Sequence, residues 1–190
     1  MLKKIIFIII FFTYPINSFG NFKIIATVDS ETITQLDLDN EKLIVKLINK
    51  NINYNNSLIL KNLIDQKIKN LEINKENIEI DNKSINRDYE TLLQTLKIEK
   101  NQVQKNLIPL IKERIMIEKC WNKIILKKYA WKLNINMKEI ENKVSSNKEK
   151  VKDLDKFKES LITHEQNKKL SVFSNYHFNK IKKQVLVKFY

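Results

Sequence analysis

His164 and Glu165 open an H-E pair, the start of the helical zinc-protease signature. That signature needs a second histidine four residues after the first, so that both imidazoles share one helix face. Position 168 is Lys168, and the spacing fails. His177 falls on a different face of a continuous helix from His164, so a shared metal site is not expected and both read as half-buried surface histidines. Cys120 is the single cysteine. A nucleophilic thiol needs an electropositive, accessible setting, whereas Cys120 sits in the middle of an apolar helical stretch. Asp37 and Asp39 could pair for acid–base work, but their place at a helix start explains them as charges facing the helix dipole. The remaining candidates bind rather than react. Met116, Trp121, Tyr129, Phe173 and Tyr176 could line a groove for extended peptides, with Trp131 beside them; the other reading of each is core packing. Core is favoured for Trp121, and both readings stay open for Tyr176.

The elements that must position these residues follow from composition. The chain has 190 residues, one glycine and two prolines. Lys3 and Lys4, the apolar run Ile5 to Phe12, the break at Pro15 and the small residues Ser18 and Gly20 read as a secretory signal, residues 1–20, with cleavage between Gly20 and Asn21. The run is too short to span a bilayer. Removing it takes away the only glycine and leaves Pro109 as the only proline. Phosphate loops, dinucleotide fingerprints and nucleophile elbows need glycine, so those motifs are excluded and no cofactor is expected. The composition favours helices. The formal net charge of +13 falls to about +11 without Lys3 and Lys4. Nearly all of it is lysine, with only Arg87 and Arg114 besides, which speaks against base reading and a nucleic-acid partner. Cys120 has no internal disulfide partner; it is either buried or able to cross-link two chains.

Ile24, Ala26 and Val28 alternate as a strand, Asp29–Ser30 turns the chain, and Glu31 to Thr34 returns. Thr34 then caps a helix, with Asp37 completing a capping box. Ser57 can cap the next helix, with a stripe through Leu60, Leu63, Ile64, Ile68 and Leu71. Asp81 caps a third helix through Ile85, Tyr89, Leu92 and Leu96, and a short helical turn follows around Ile98 to Leu107. Pro109 suits the first turn of the longest apolar helix, which runs to Leu133. Asn136 caps MKEIENKV, and residues 142–153 read as a charged linker. Asp155 to Lys183 is two helices or one bent one. QVLVKFY is a strand with Val185, Val187 and Phe189 on one apolar face.

This layout resembles the SurA-type periplasmic chaperones. Their mature chains open on a "-VA-VN-E-IT--D-" pattern, matched here by Ala26, Val28, Glu31, Ile33, Thr34 and Asp37 or Asp39. LKNLIDQKIKNLEINKENIEI is similar to a following family segment, and IKERIMIEKCWNKII to the helix that ends the family's N-terminal region. The resemblance implies a mainly α fold with a small β-sheet, made from the N-terminal hairpin and the C-terminal strand. It implies a helical chaperone domain over 21–141 and a C-terminal segment, 154–190, that packs back on it. It further implies an ATP-independent chaperone for unfolded outer-membrane proteins or extended peptides in the periplasm. The family's isomerase domains have no room between Met137 and Asp155, so no prolyl isomerase or other enzyme activity is expected. The alternative is a basic peripheral protein of the envelope that contacts anionic membrane surface.

Overall fold

The computed structural model describes residues 23–49, 55–148, 151 and 153–190. The signal segment, its cleavage site at Gly20–Asn21 and part of the 142–153 stretch lie outside them. Strands β1 (Ile24–Val28) and β2 (Glu31–Thr34) form a hairpin. Helices α1 (Gln35–Ile48), α2 (Asn56–Glu76), α3 (Asn82–Leu96), α4 (Leu107–Tyr129), α5 (Met137–Ser146) and α6 (Leu154–Lys182) follow, and β3 (Val187–Phe189) comes last. The protein is mainly helical with one three-stranded antiparallel sheet of order β2-β1-β3.

The two ends of the described chain meet. Val187 pairs with Val28, Lys188 with Thr27 and Phe189 with Ala26. Asp29 clamps the join. Its N–H donates to the Leu186 carbonyl at 2.8 Å, and its carboxylate accepts from the Leu186 N–H at 2.8 Å. A two-stranded hairpin is marginal alone, and the third strand supplies the missing partner. The apolar face expected of β3 is only partly used: Val187 packs on the core, but Phe189 is 65% exposed. The core beneath it is already filled by Ala26, Val28, Ile33, Ile64, Ile68, Trp121 and Ile125. A second core joins α1, α3 and α4 through Ile44, Tyr89, Leu93, Leu107 and Ile111.

Local signals explain the helix ends. Thr34 and Asp37 form the expected capping box, with the Thr34 N–H donating to the Asp37 carboxylate at 2.7 Å. The cap of α2 is Asn55, not Ser57: the Asn55 side-chain Oδ1 accepts from the Leu58 N–H at 2.8 Å, and asparagine caps as well as serine does. Asp81 caps α3 and Pro109 lies in the first turn of α4. Between them the turn narrows to a 3₁₀ segment, Lys100–Gln102. α5 runs on to Ser146, into the stretch that reads as linker. α6 is one helix of 29 residues, and so about 43 Å long. Its N-terminal half packs on α5, where Ile140 is buried, and its C-terminal half packs on α4 and α2.

A chain without glycine in these elements uses other residues in the left-handed region. Asp29, Asn77 and Lys97 have φ of 50°, 48° and 52°. Asn77 and Lys97 end α2 and α3, where glycine is the usual choice. Lysine has no side-chain oxygen to ease that conformation. Lys97→Gly is expected to stabilise the protein by about 0.5–1 kcal/mol, and a Tm at or below wild type would refute the strain.

Candidate functional site: an aromatic and lysine face on α4 and α6

α4 packs against the C-terminal half of α6. Trp121 Nε1 donates to Ser174 Oγ at 2.8 Å, and one end further on the Tyr129 ring stacks on Phe173 with centroids 5.2 Å apart and planes 12° apart. Tyr176 meets Tyr129 edge-on at 6.2 Å and 85°. Just past α4, Trp131 is 71% exposed, and Lys132 Nζ lies 4.5 Å from its ring centroid and 5.7 Å from that of Phe173. Tyr129, Phe173, Tyr176 and Trp131 therefore form a shelf, with Phe173 and Tyr129 half-buried and Tyr176 60% exposed. A shallow recess lined by Tyr176, Asn179, Lys180, Lys183 and Gln184 continues it along α6.

The five residues singled out from sequence thus divide. Tyr129, Phe173 and Tyr176 come together. Trp121 lies beneath them, 1% exposed, packed edge-on to Phe178 and tilted against His177. It is core, because α6 crosses directly over it. Met116 is elsewhere, half-buried against Ile73, Ile117, Cys120 and Ile124. Cys120 is buried in that cluster; its thiol points to the Ile78 carbonyl at 3.7 Å, and burial pushes its pKa up.

His177 is buried rather than at the surface, contrary to its sequence reading, and it ties three helices together. Its Nε2 lies 3.0 Å from Glu72 of α2, and its Nδ1 lies 3.1 Å from the Tyr129 hydroxyl of α4. Lys128 reaches Glu72 at 3.0 Å and Glu76 at 2.7 Å. Burial is the largest influence on the ring and holds its pKa below the ordinary value. The bond to Glu72 works the other way, and the charges of Lys128 and Lys180 add to the lowering. Burial would raise the Glu72 pKa, but the bonds and charges of Lys128 and His177 outweigh it and the net direction is down. The neutral ring then donates from Nε2 to Glu72 and accepts the Tyr129 hydroxyl at Nδ1.

Both groups bind fewer protons folded than unfolded, so acid destabilises the fold. The His177 contribution is complete above about pH 6.5 and is lost as pH falls from there toward its folded pKa. Glu72 adds a loss below about pH 4.5. We expect Tm to fall as pH drops from about 7.5 to 5.5, and His177→Gln to flatten that segment. An unchanged slope in the variant would exclude His177 as the source.

The shelf has an electrostatic feature that no motif signals. Residues 119–138 and 166–190, which contain the two facing helix halves, each carry six lysines and neither Asp nor Glu. Carboxylates of α2 neutralise some of them: Glu72 and Glu76 pair with Lys128, and Asp65 with Lys182. Lys132, Lys180 and Lys183 have no carboxylate partner among the described residues. The face therefore combines exposed rings with uncompensated positive charge.

A second recess lies between α1, α2 and α4, lined by Ile33, Ile44, Leu63, Leu110 and Ile117. Glu41 stands at its polar side, buried, with Arg114 at 2.9 Å and Gln66 at 3.3 Å on the same oxygen. Burial raises its pKa and Arg114 only partly opposes this. Among the described residues no three His, Cys, Asp or Glu side chains stand close enough to hold a metal ion, and no helix is long and apolar enough to cross a membrane. Neither a family model nor a curated protein matches the chain.

Proposed function

We propose that this protein is an exported, ATP-independent chaperone of the SurA N-terminal type, which holds extended segments of unfolded outer-membrane proteins in the periplasm. The observation that carries the reading is the shelf of Tyr129, Phe173, Tyr176 and Trp131, two of them more than half exposed. Large aromatic side chains bury most of their area when nothing selects for exposure, and exposed groups of them mark binding surfaces. A shelf of rings on rigid helices gives weak, reversible contact to many apolar sequences without a nucleotide cycle. The order of elements supports the family resemblance: the first hairpin pairs with the last strand, and α5 leads into α6 where the family carries its isomerase domains. No isomerase activity belongs to this reading.

The test is aggregation of a β-barrel protein diluted from denaturant, followed by light scattering. Wild type should suppress scattering, and Trp131→Ala with Tyr176→Ala should lose most of that effect while keeping the fold, since both side chains are exposed. Undiminished aggregation with wild type would end the proposal. The uncompensated lysines favour a second reading, a basic envelope protein lying on anionic lipid. Sedimentation with anionic vesicles, without any suppression of aggregation, is its signature.

A further inference from the structure

We infer that the shelf selects chain segments in which aromatic residues alternate with Asp or Glu, and rejects those in which they alternate with Lys or Arg. The inference rests on the chaperone reading and adds the charge of the client. Its basis is the juxtaposition of rings and unpaired ammonium groups. Lys132 sits between Trp131 and Phe173, within 4.5 Å and 5.7 Å of their centroids. Lys180 and Lys183 follow Tyr176 along the same ridge of α6, spaced four and seven residues on, and line one recess with it. An extended segment laid along that ridge meets a ring and then two positive charges. Carboxylates spaced between client aromatics would find those charges unpaired, and client lysines would meet only like charge.

The geometry fits a polypeptide better than a lipid surface. Tyr129 and Phe173 lie nearly parallel and Tyr176 stands edge-on, so a further ring can extend either arrangement. Asn179 and Gln184 flank the two lysines in the recess and offer amide donors and acceptors suited to a peptide backbone. A bilayer presents neither rings nor amides at that spacing.

Three fluorescent peptides of equal length and identical aromatic spacing would test this, with Glu, Ser or Lys at the intervening positions. Anisotropy titrations are run with the whole protein at low and high salt. At low salt the Glu peptide should bind about tenfold more tightly than the Ser peptide, and the Lys peptide most weakly. The gap should close at high salt, where exposed charges are screened. K180E/K183E, with its fold checked by circular dichroism, should lose or invert the order of the Glu and Lys peptides. Equal affinity for all three peptides, or an order unaltered in K180E/K183E, overturns the charge selection and leaves the chaperone reading in place. If none of the three binds, the chaperone reading itself fails at this face. Binding of phosphatidylglycerol vesicles under those conditions would assign the face to lipid instead.

Discussion

Trp121→Ala is expected to destabilise the protein by about 3–5 kcal/mol, the range for emptying a buried aromatic site. Trp121 is 1% exposed and contributes to the core shared by the sheet, α2 and α6. Its loss opens a cavity beneath α6 and strips the Ser174 hydroxyl of its donor. For a domain of this size each kcal/mol moves Tm by roughly 2–4 °C, so a fall of roughly 6–20 °C should be seen by calorimetry. Trp131→Ala, at an exposed ring ten positions on, should change stability by no more than about 0.5 kcal/mol. Any binding defect of Trp121→Ala would then be a defect of folding, whereas that of Trp131→Ala would belong to the surface. A Trp121→Ala protein that melts with wild type would remove this distinction.

Deleting Gln184 to Tyr190 should unsettle the whole molecule. β1 would lose β3 along Ala26–Val28, and the Asp29 clamp on Leu186 and the Tyr190 N–H to Ile25 carbonyl bond of 3.1 Å would go with it. Four or more backbone bonds at about 1 kcal/mol each, with the partial burial of Val185 and Val187 added, come to about 4 kcal/mol or more. Ala26 and Val28, fully buried now, would lie at an open sheet edge. The expected result is a single unfolding transition displaced downward by roughly 8–16 °C, not a local fraying of the tail. An unchanged midpoint would mean that the sheet contributes nothing to the helical body.

Signals that act within a few residues were legible in the sequence. The Thr34–Asp37 box, the turn at Asp29, the Asp81 cap and Pro109 in the first turn of α4 are local chemistry, and all stand as read. The strand closure was legible for a different reason: a lone apolar strand needs a partner, and only the N-terminal hairpin offered one. Asn55 replaced Ser57 as a cap because two good capping residues lie within three positions, and propensity does not rank them. The aromatic assignment was only partly legible. Trp121 and Tyr129 are eight residues apart on one helix, yet one is sealed by α6 and the other reaches the shelf. His177 was misplaced because its partner Glu72 lies 105 residues away, on another helix, where no local signal links the two. The carboxylate-free lysine segments were open to simple counting, but their meaning came only from α4 and α6 lying side by side.

The sheet also sets a schedule for folding. Leu186 and Asp29 are separated by 157 residues, so their join is among the most distant contacts in the chain. Closing a loop of that length carries an entropic penalty of about 4.5 kcal/mol beyond the constant part, before any bond is made in return. Helices α1 to α4 need no such closure and can associate first. β1 must wait with one edge open until β3 arrives. During that interval it is the part of the molecule most exposed to mispairing with another extended chain. Refolding should therefore be biphasic, with helical signal recovered before the sheet locks, and the slow phase should vanish when β3 is removed.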